Sequence, residues 1–164
     1  MQLEVVRGDI TQQAVEAIVT AANSGLTGGG GVDGAVHRAA GRRLVRACRA
    51  LAPCAAGSAV VTPAFDLAPT LWVIHAVGPI YRGPRDAGVL ASAYTAALAR
   101  ADEVGARSIA FPSISTGAYG YPPADAAVVS VRALRAAGTR VERVLLVAFD
   151  PETERLWRAA AEAG

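Results

Sequence analysis

Ala21-Ala22-Asn23-Ser24-Gly25-Leu26-Thr27-Gly28-Gly29-Gly30-Gly31-Val32-Asp33-Gly34 is the stretch on which the fold turns. Before it, Ala17 to Ala22 is apolar and reads as a buried strand. After it, Val36, Ala40, Leu44, Ala47, Cys48 and Leu51 recur at spacings of three and four. Arg38, Arg42, Arg46 and Arg49 take the opposite side, which predicts one surface helix ended by Pro53. Four consecutive glycines cost backbone entropy and offer no side chain to pack. Their use is close approach of the backbone to something else. The helix N-terminus behind them adds free N–H groups and the positive end of a dipole. Together these features suit an anion, most naturally a phosphate; a flexible surface loop is the plainer alternative.

Outward from that unit, strand and helix patterns alternate. Gln2 to Arg7 reads as a strand, as do residues 58–62, 71–77, 108–111 and 141–149. Residues 87–104 read as helix. Pro122-Pro123 opens another, expected to run to Ala137 with Gly138 as its cap, and Pro151 opens a last one to Ala161. Near-continuous apolar strands between helices predict a mixed or parallel sheet covered on both faces. Ligands of such folds bind beyond the carboxyl ends of the strands. A second polar loop, Ser113-Ile114-Ser115-Thr116-Gly117-Ala118-Tyr119-Gly120-Tyr121, also joins a strand to a helix. Its hydroxyls and N–H groups again suit phosphate, and its rings suit a sugar; an ordinary Ser/Gly turn with a packed Tyr fits equally. Two such loops at one sheet edge suggest a diphosphate between them.

Composition narrows the chemistry. All 16 basic residues are Arg; the absence of Lys excludes a Schiff-base lysine and a Walker-A lysine. A net charge of +2 is too small to point to nucleic acid. RNA binding through the Arg-bearing helix face is a third-rank reading, since a solvated face explains those residues. The 164 residues, undivided by linker or repeat, are expected to form one domain. Met1 to Arg7 reads as a strand rather than a leader, and no apolar run approaches a membrane span, so a cytoplasmic protein is expected. Gly29 to Gly34 satisfies G-x-G-x-x-G, but no acid stands where ribose recognition would need it, so a nicotinamide enzyme fits poorly. His37, His75, Cys48 and Cys54 match no common zinc spacing. His75 and Cys48 are read as core, and no metal or organic cofactor is expected.

Gly8-Asp9-Ile10-Thr11, Ala21-Ala22-Asn23-Ser24, the run Gly28 to Gly41, Ile74-His75-Ala76-Val77-Gly78-Pro79 and Ser115-Thr116-Gly117-Ala118-Tyr119-Gly120 closely resemble, in order, the macro domain family. The likeness is to its hydrolase branch, which includes the MacroD proteins and bacterial O-acetyl-ADP-ribose deacetylases. The resemblance implies a three-layer α/β/α fold with a mixed central sheet of about six strands. It implies ADP-ribose as ligand, with Asp9 and Ile10 beside the adenine and Phe149 flanking it. Gly30, Gly31 and Val32 with Ser115, Thr116, Gly117, Ala118 and Tyr119 would wrap the diphosphate and distal ribose. Asn23 and Asp33, ten residues apart, match the branch's catalytic pair. It further implies a hydrolase that frees mono-ADP-ribose from acidic side chains of proteins, or acetyl from O-acetyl-ADP-ribose, acting as a monomer; a non-catalytic ADP-ribose reader is the alternative. Asp33 would orient or deprotonate a water, and Asn23 would fix a ribose diol with its donor and acceptor. Without the resemblance, Asp33 reads as a first-turn acid and Asn23 as a turn residue. One position departs from the branch, where Asn-Ala-Ala-Asn is common and this chain has Thr20-Ala21-Ala22-Asn23: the hydroxyl of Thr20 stands where an amide is usual.

Overall fold

Alternating apolar faces define the strands of the computed structural model, which describes residues 1–164. They are β1 (Gln2–Arg7), β2 (Ala17–Ala22), β3 (Ala59–Pro63), β4 (Trp72–Val77), β5 (Ser108–Phe111) and β6 (Arg143–Ala148). The helices are α1 (Gly31–Ala40), α2 (Arg42–Leu51), α3 (Asp86–Glu103), α4 (Pro123–Ala136) and α5 (Pro151–Ala163). The strands form one sheet in the order β1-β6-β5-β2-β4-β3. All neighbouring pairs are parallel except β3 with β4. The sheet is therefore mixed and six-stranded, as the resemblance implied.

The two-residue period of each strand sends side chains to opposite layers. Ala17 and Val19 of β2, Ile74 and Ala76 of β4, and Val144 and Leu146 of β6 pack with α3, α4 and α5. Ile18 and Ala22, Val73 and Val77, and Leu145 and Val147 pack with α1 and α2. Both faces are thus buried, which explains the near-continuous apolar strands. Fully burying each large residue such as Phe111, Leu98 or Leu134 contributes about 1.5–3 kcal/mol. Buried aromatics keep their polar atoms satisfied: Trp157 Nε1 donates to Ser130 Oγ at 3.0 Å. No helix is long and apolar enough to cross a membrane.

Because β1, β6, β5, β2 and β4 run the same way, their carboxyl ends share one edge. Register brings them level there, with Arg7 opposite Ala148 and Ala22 opposite Val77. The segments that follow, beginning at Gly8, Phe149, Pro112, Asn23 and Gly78, therefore cluster at that edge.

Two sequence expectations need correction. The apolar series from Val36 to Leu51 is not one helix: it breaks at Gly41, where φ is 90°. The break lets the turn at 64–67 dock, with Asp66 N donating to the Ala40 carbonyl at 3.2 Å. Arg43 closes over it with a 2.8 Å ion pair to Asp66. The φ of 90° favours glycine, and an added Cβ would lie 2.7 Å from Asp66 Oδ2, so that side chain would have to move. Gly138, by contrast, does not cap α4. The capping position is Ala137 in an extended conformation, φ −72° and ψ 135°, which needs no glycine.

Gly41→Ala should destabilise the fold by about 1–3 kcal/mol, through positive φ and the Asp66 contact together. Gly138→Ala, with nothing near the added methyl, should stay within about 0.5 kcal/mol of wild type. Urea denaturation of both variants measures this, and equal stabilities would contradict the account of the helix break.

Candidate active site

Asn23 follows β2 and shapes the first loop. Its backbone carbonyl accepts from Leu26 N at 3.0 Å. Its Nδ2 donates to the Gly28 carbonyl and to Thr27 Oγ1, both at 3.1 Å, while Thr27 N donates to Oδ1 at 3.2 Å. The side chain thus closes the turn that presents Gly29, Gly30 and Gly31. An added Cβ at any of these three meets nothing within 4 Å, so they face outward. Gly31 also requires its φ of 60°. The close approach occurs at Gly34 instead, where an added Cβ would overlap the Gly29 carbonyl oxygen. Gly30 is the N-cap of α1 and provides no side-chain cap, so the first-turn N–H groups, with Val32 among them, lie at the loop's outer rim.

Asp33 stands in that first turn but points inward, with 5% of its surface exposed. Thr20 Oγ1 donates to its Oδ1 at 2.9 Å, and His37 Nε2 lies 3.5 Å from the same oxygen. Burial raises the Asp33 carboxyl above the usual range; the Thr20 bond and then His37 pull it part of the way back. Thr20 is completely buried and lies on the α1 face of β2 between Ile18 and Ala22. The residue that departs from the Asn-Ala-Ala-Asn pattern is therefore the one that holds the acid.

The second loop is fixed from beneath. Tyr94 of α3 accepts from Ile114 N at 3.0 Å and donates to the Pro112 carbonyl at 3.3 Å. Ser115, buried at φ 69°, donates its hydroxyl to the Pro79 carbonyl at 2.8 Å. Gly78 makes room, since an added Cβ there would overlap that hydroxyl. Thr116 donates to Ser113 Oγ at 2.8 Å, and Tyr81 N to the Tyr119 carbonyl at 2.8 Å. The single protons of Ser115 and Thr116 are thus committed within the loops, which leaves backbone N–H groups and the Ser113 and Tyr119 hydroxyls as donors to an anion. Gly117 and Ala118 form the exposed tip, and Tyr119 is half-buried beside them.

At the β1–β6 end, Asp9 caps the short 3₁₀ turn Ile10–Gln12. Its Oδ1 accepts from Thr11 N at 2.8 Å and Thr11 Oγ1 at 2.7 Å. Ile10 is buried. Phe149 follows β6 and is 81% exposed, an unusual position for a large aromatic ring. Asp9 and Phe149 lie on neighbouring strand ends, bridged by Gly8 N donating to the Ala148 carbonyl at 3.0 Å.

Behind Asp33 lies a polar group that sequence spacing did not reveal. His75 of β4 pairs in register with Thr20. Its Nε2 is 3.0 Å from Thr62 Oγ1, and both its ring nitrogens lie 3.7 Å from Cys48 Sγ. The His37 ring centroid is 6.3 Å from that of His75. Burial, followed by His37, lowers His75 to about 4; burial, followed by Asp33, raises Cys48 to about 11. Both are neutral at pH 7. The expectation that His75 and Cys48 are core residues holds for their burial, but they form one cluster with His37 across three elements. Nothing in the linear order signals it.

A family model described as "Macro domain" matches residues 19–130. A "Macro domain-containing protein" of Ralstonia nicotianae is 49% identical over 160 residues, covering 96% of this chain and 93% of that protein. A Salmonella typhimurium protein named "O-acetyl-ADP-ribose deacetylase" is 50% identical over 165 residues, covering 95% of this chain and 92% of its own. A solved structure, the Oceanobacillus iheyensis macrodomain with ADP, superposes with a TM-score of 0.92 at 36% identity, over 98% of this chain and 90% of that one.

Thr20→Val keeps the shape and removes the donor to Asp33. A carboxylate that loses a hydrogen bond to its charged form becomes easier to protonate. The Asp33 pKa should therefore rise above its wild-type value, as followed by carbon NMR of the carboxyl through a pH titration. An unchanged or lower value would mean that the Thr20 bond does not hold the acid.

Proposed function

The chain belongs to the macro domain family, and on that premise we propose that it binds ADP-ribose and hydrolyses an ester on the distal ribose. The substrates are O-acetyl-ADP-ribose, losing acetate, and proteins mono-ADP-ribosylated on acidic side chains, losing ADP-ribose. The observation that carries this reading is Asp33: a buried carboxylate with a raised pKa in the first turn of α1, directly behind outward-facing glycines. A raised pKa makes a carboxylate a better base near neutral pH.

In this reading the adenine lies between Asp9 and Phe149, with the backbone of Ile10 beside it. An 81% exposed ring supplies the stacking face. The diphosphate is held by backbone N–H groups of Gly30, Gly31 and Val32 on one side and of residues 115–119 on the other, the arrangement expected of anion sites at helix N-termini and nests. A water adds to the ester carbonyl carbon while Asp33 takes its proton. The carbon–oxygen bond to ribose then breaks, and the proton passes to the departing ribose oxygen. The products are a carboxylic acid and a free ribose hydroxyl, and no cofactor takes part. The chain would act as a monomer and a single domain. A cytoplasmic setting is supported by Cys48 and Cys54, both free thiols.

One observation favours the reader alternative. The Asn23 amide uses its donor and acceptor on Thr27 and Gly28, so it must exchange partners before it can fix a ribose diol.

Wild type should release ADP-ribose from a glutamate-modified protein or acetate from O-acetyl-ADP-ribose. Asp33→Ala should lower kcat by about 10²–10⁴-fold, the usual contribution of a general base, with calorimetric affinity for ADP-ribose nearly intact. Asn23→Ala should fall in the same direction. Binding by a wild type that turns over neither substrate would make this a reader module. Phe149→Ala should weaken ADP-ribose binding by about 5–150-fold, corresponding to 1–3 kcal/mol for an aromatic stacked on a base, with Tm unchanged. Unaltered affinity would move the adenine elsewhere.

A further inference from the structure

Three elements on the α1/α2 face of the sheet aim metal-ligating side chains at one point. His37 comes from α1, Cys48 from α2 and His75 from β4, and their ligand atoms all lie within 4.8 Å of one another. A tetrahedral zinc with nitrogen at about 2.0 Å and sulfur at about 2.3 Å holds its ligands roughly 3.5 Å apart. Cys48 Sγ lies 3.7 Å from both ring nitrogens of His75, close to that spacing, and a turn of the ring would aim Nδ1 at a shared cation. The remaining closure is within the reach of side-chain adjustment.

The surroundings match an outer shell as well. A ligating imidazole usually has its second nitrogen engaged by an oxygen, which fixes the ring. His75 Nε2 is engaged by Thr62 Oγ1 at 3.0 Å, and His37 Nε2 faces Asp33 Oδ1 at 3.5 Å. For His75 this leaves Nδ1 as the ligating nitrogen. Beyond these groups the wall is apolar, with Cys48 packed in the cluster that holds Val36, Leu44 and Val73. The His37 side chain retains 15% exposure and provides the way in.

We propose that His37, Cys48 and His75 form a binding site for one zinc-class cation, which displaces the Cys48 proton to solvent and takes two imidazoles and the resulting thiolate as ligands. Such a borderline-soft set selects zinc over magnesium or calcium. The site adjoins Asp33 and the base of the glycine loop through His37, but its ligand set is the same whether the chain is a hydrolase or a reader. It ties α1 and α2 together across the Gly41 break and fastens both to the sheet.

The test is titration of the tag-free full chain with Co²⁺ and Zn²⁺. The expected result is one equivalent bound, with a thiolate-to-cobalt charge-transfer band that Zn²⁺ abolishes. Zinc at about 100 times its Kd should raise Tm by about 5–10 °C. Cys54→Ser should keep the band and Cys48→Ser should lose it. Thr62→Val, which touches no ligand atom on the metal side, should weaken affinity by about 10–100-fold. If Cys48→Ser fails to fold, survival of the band in Cys54→Ser still assigns it to Cys48. Absence of saturable binding, a band that disappears in Cys54→Ser, or a Thr62→Val affinity equal to wild type would overturn the proposal.

Discussion

A carboxylate buried in the first turn of a helix needs a donor, and here the donor comes from the neighbouring strand. The 2.9 Å bond from Thr20 to Asp33 joins β2 to α1 at the point where the glycine loop between them must close. Without a partner, the buried carboxylate would carry a desolvation cost large enough to protonate it or to turn it outward. The Thr20 hydroxyl, with His37 beside it, offsets part of that cost. Much of the local architecture serves this contact. Gly34 lets α1 seat against the Gly29 carbonyl, and the Asn23 amide locks the turn that leads into the helix.

The sheet supplies the other half of the arrangement. Five strands of common direction place five connections at one edge, and the two outer pieces, around Asp9 and Phe149, are anchored by β1 and β6 rather than by loop contacts. The central pieces are braced against each other. Ser115 is bound to Pro79, Tyr81 to Tyr119, and Tyr94 supports the start of the loop through both its donor and its acceptor. Fixed loops of this kind hold N–H groups in place before an anion arrives, so little ordering remains to oppose binding.

Much of this was legible in the sequence because it is local. Apolar runs of strand length, glycine between strand and helix, and proline at helix starts each speak for their own segment, and the strands at 2–7 and 17–22 lie where the pattern puts them. What escaped was decided by partners distant in the chain. The series from Val36 to Leu51 keeps helical spacing straight through Gly41, and only the approach of Asp66 shows why the helix must break. Thr20 read as a missing amide because its hydroxyl gains meaning only once α1 folds over it. Among the candidate site residues, Asn23 and Asp33 were singled out only through the family likeness, since by themselves they read as a turn residue and a first-turn acid. His37, Cys48 and His75 were not, because no motif spans positions that meet only when α1 and α2 pack over β4.

The polar seam is also confined to one side of the sheet. The α3–α5 side carries Trp157, Tyr94 and Phe111, and its buried polar atoms are those of single side chains, Trp157 bonded to Ser130 and Tyr94 bonded to the Pro112 carbonyl. The α1/α2 side rests on two ten-residue helices, too short to be stable alone in water, and beneath them lie Thr20, Asp33, Thr62 and His75. A buried polar group weakens a core less when every member has a partner, and a fully paired network admits fewer packings than an apolar one. Thr20 with Asp33, and Thr62 with His75, meet that condition. Helices held by such pairs keep one register over the sheet. The glycine loop that α1 terminates therefore keeps one shape as well.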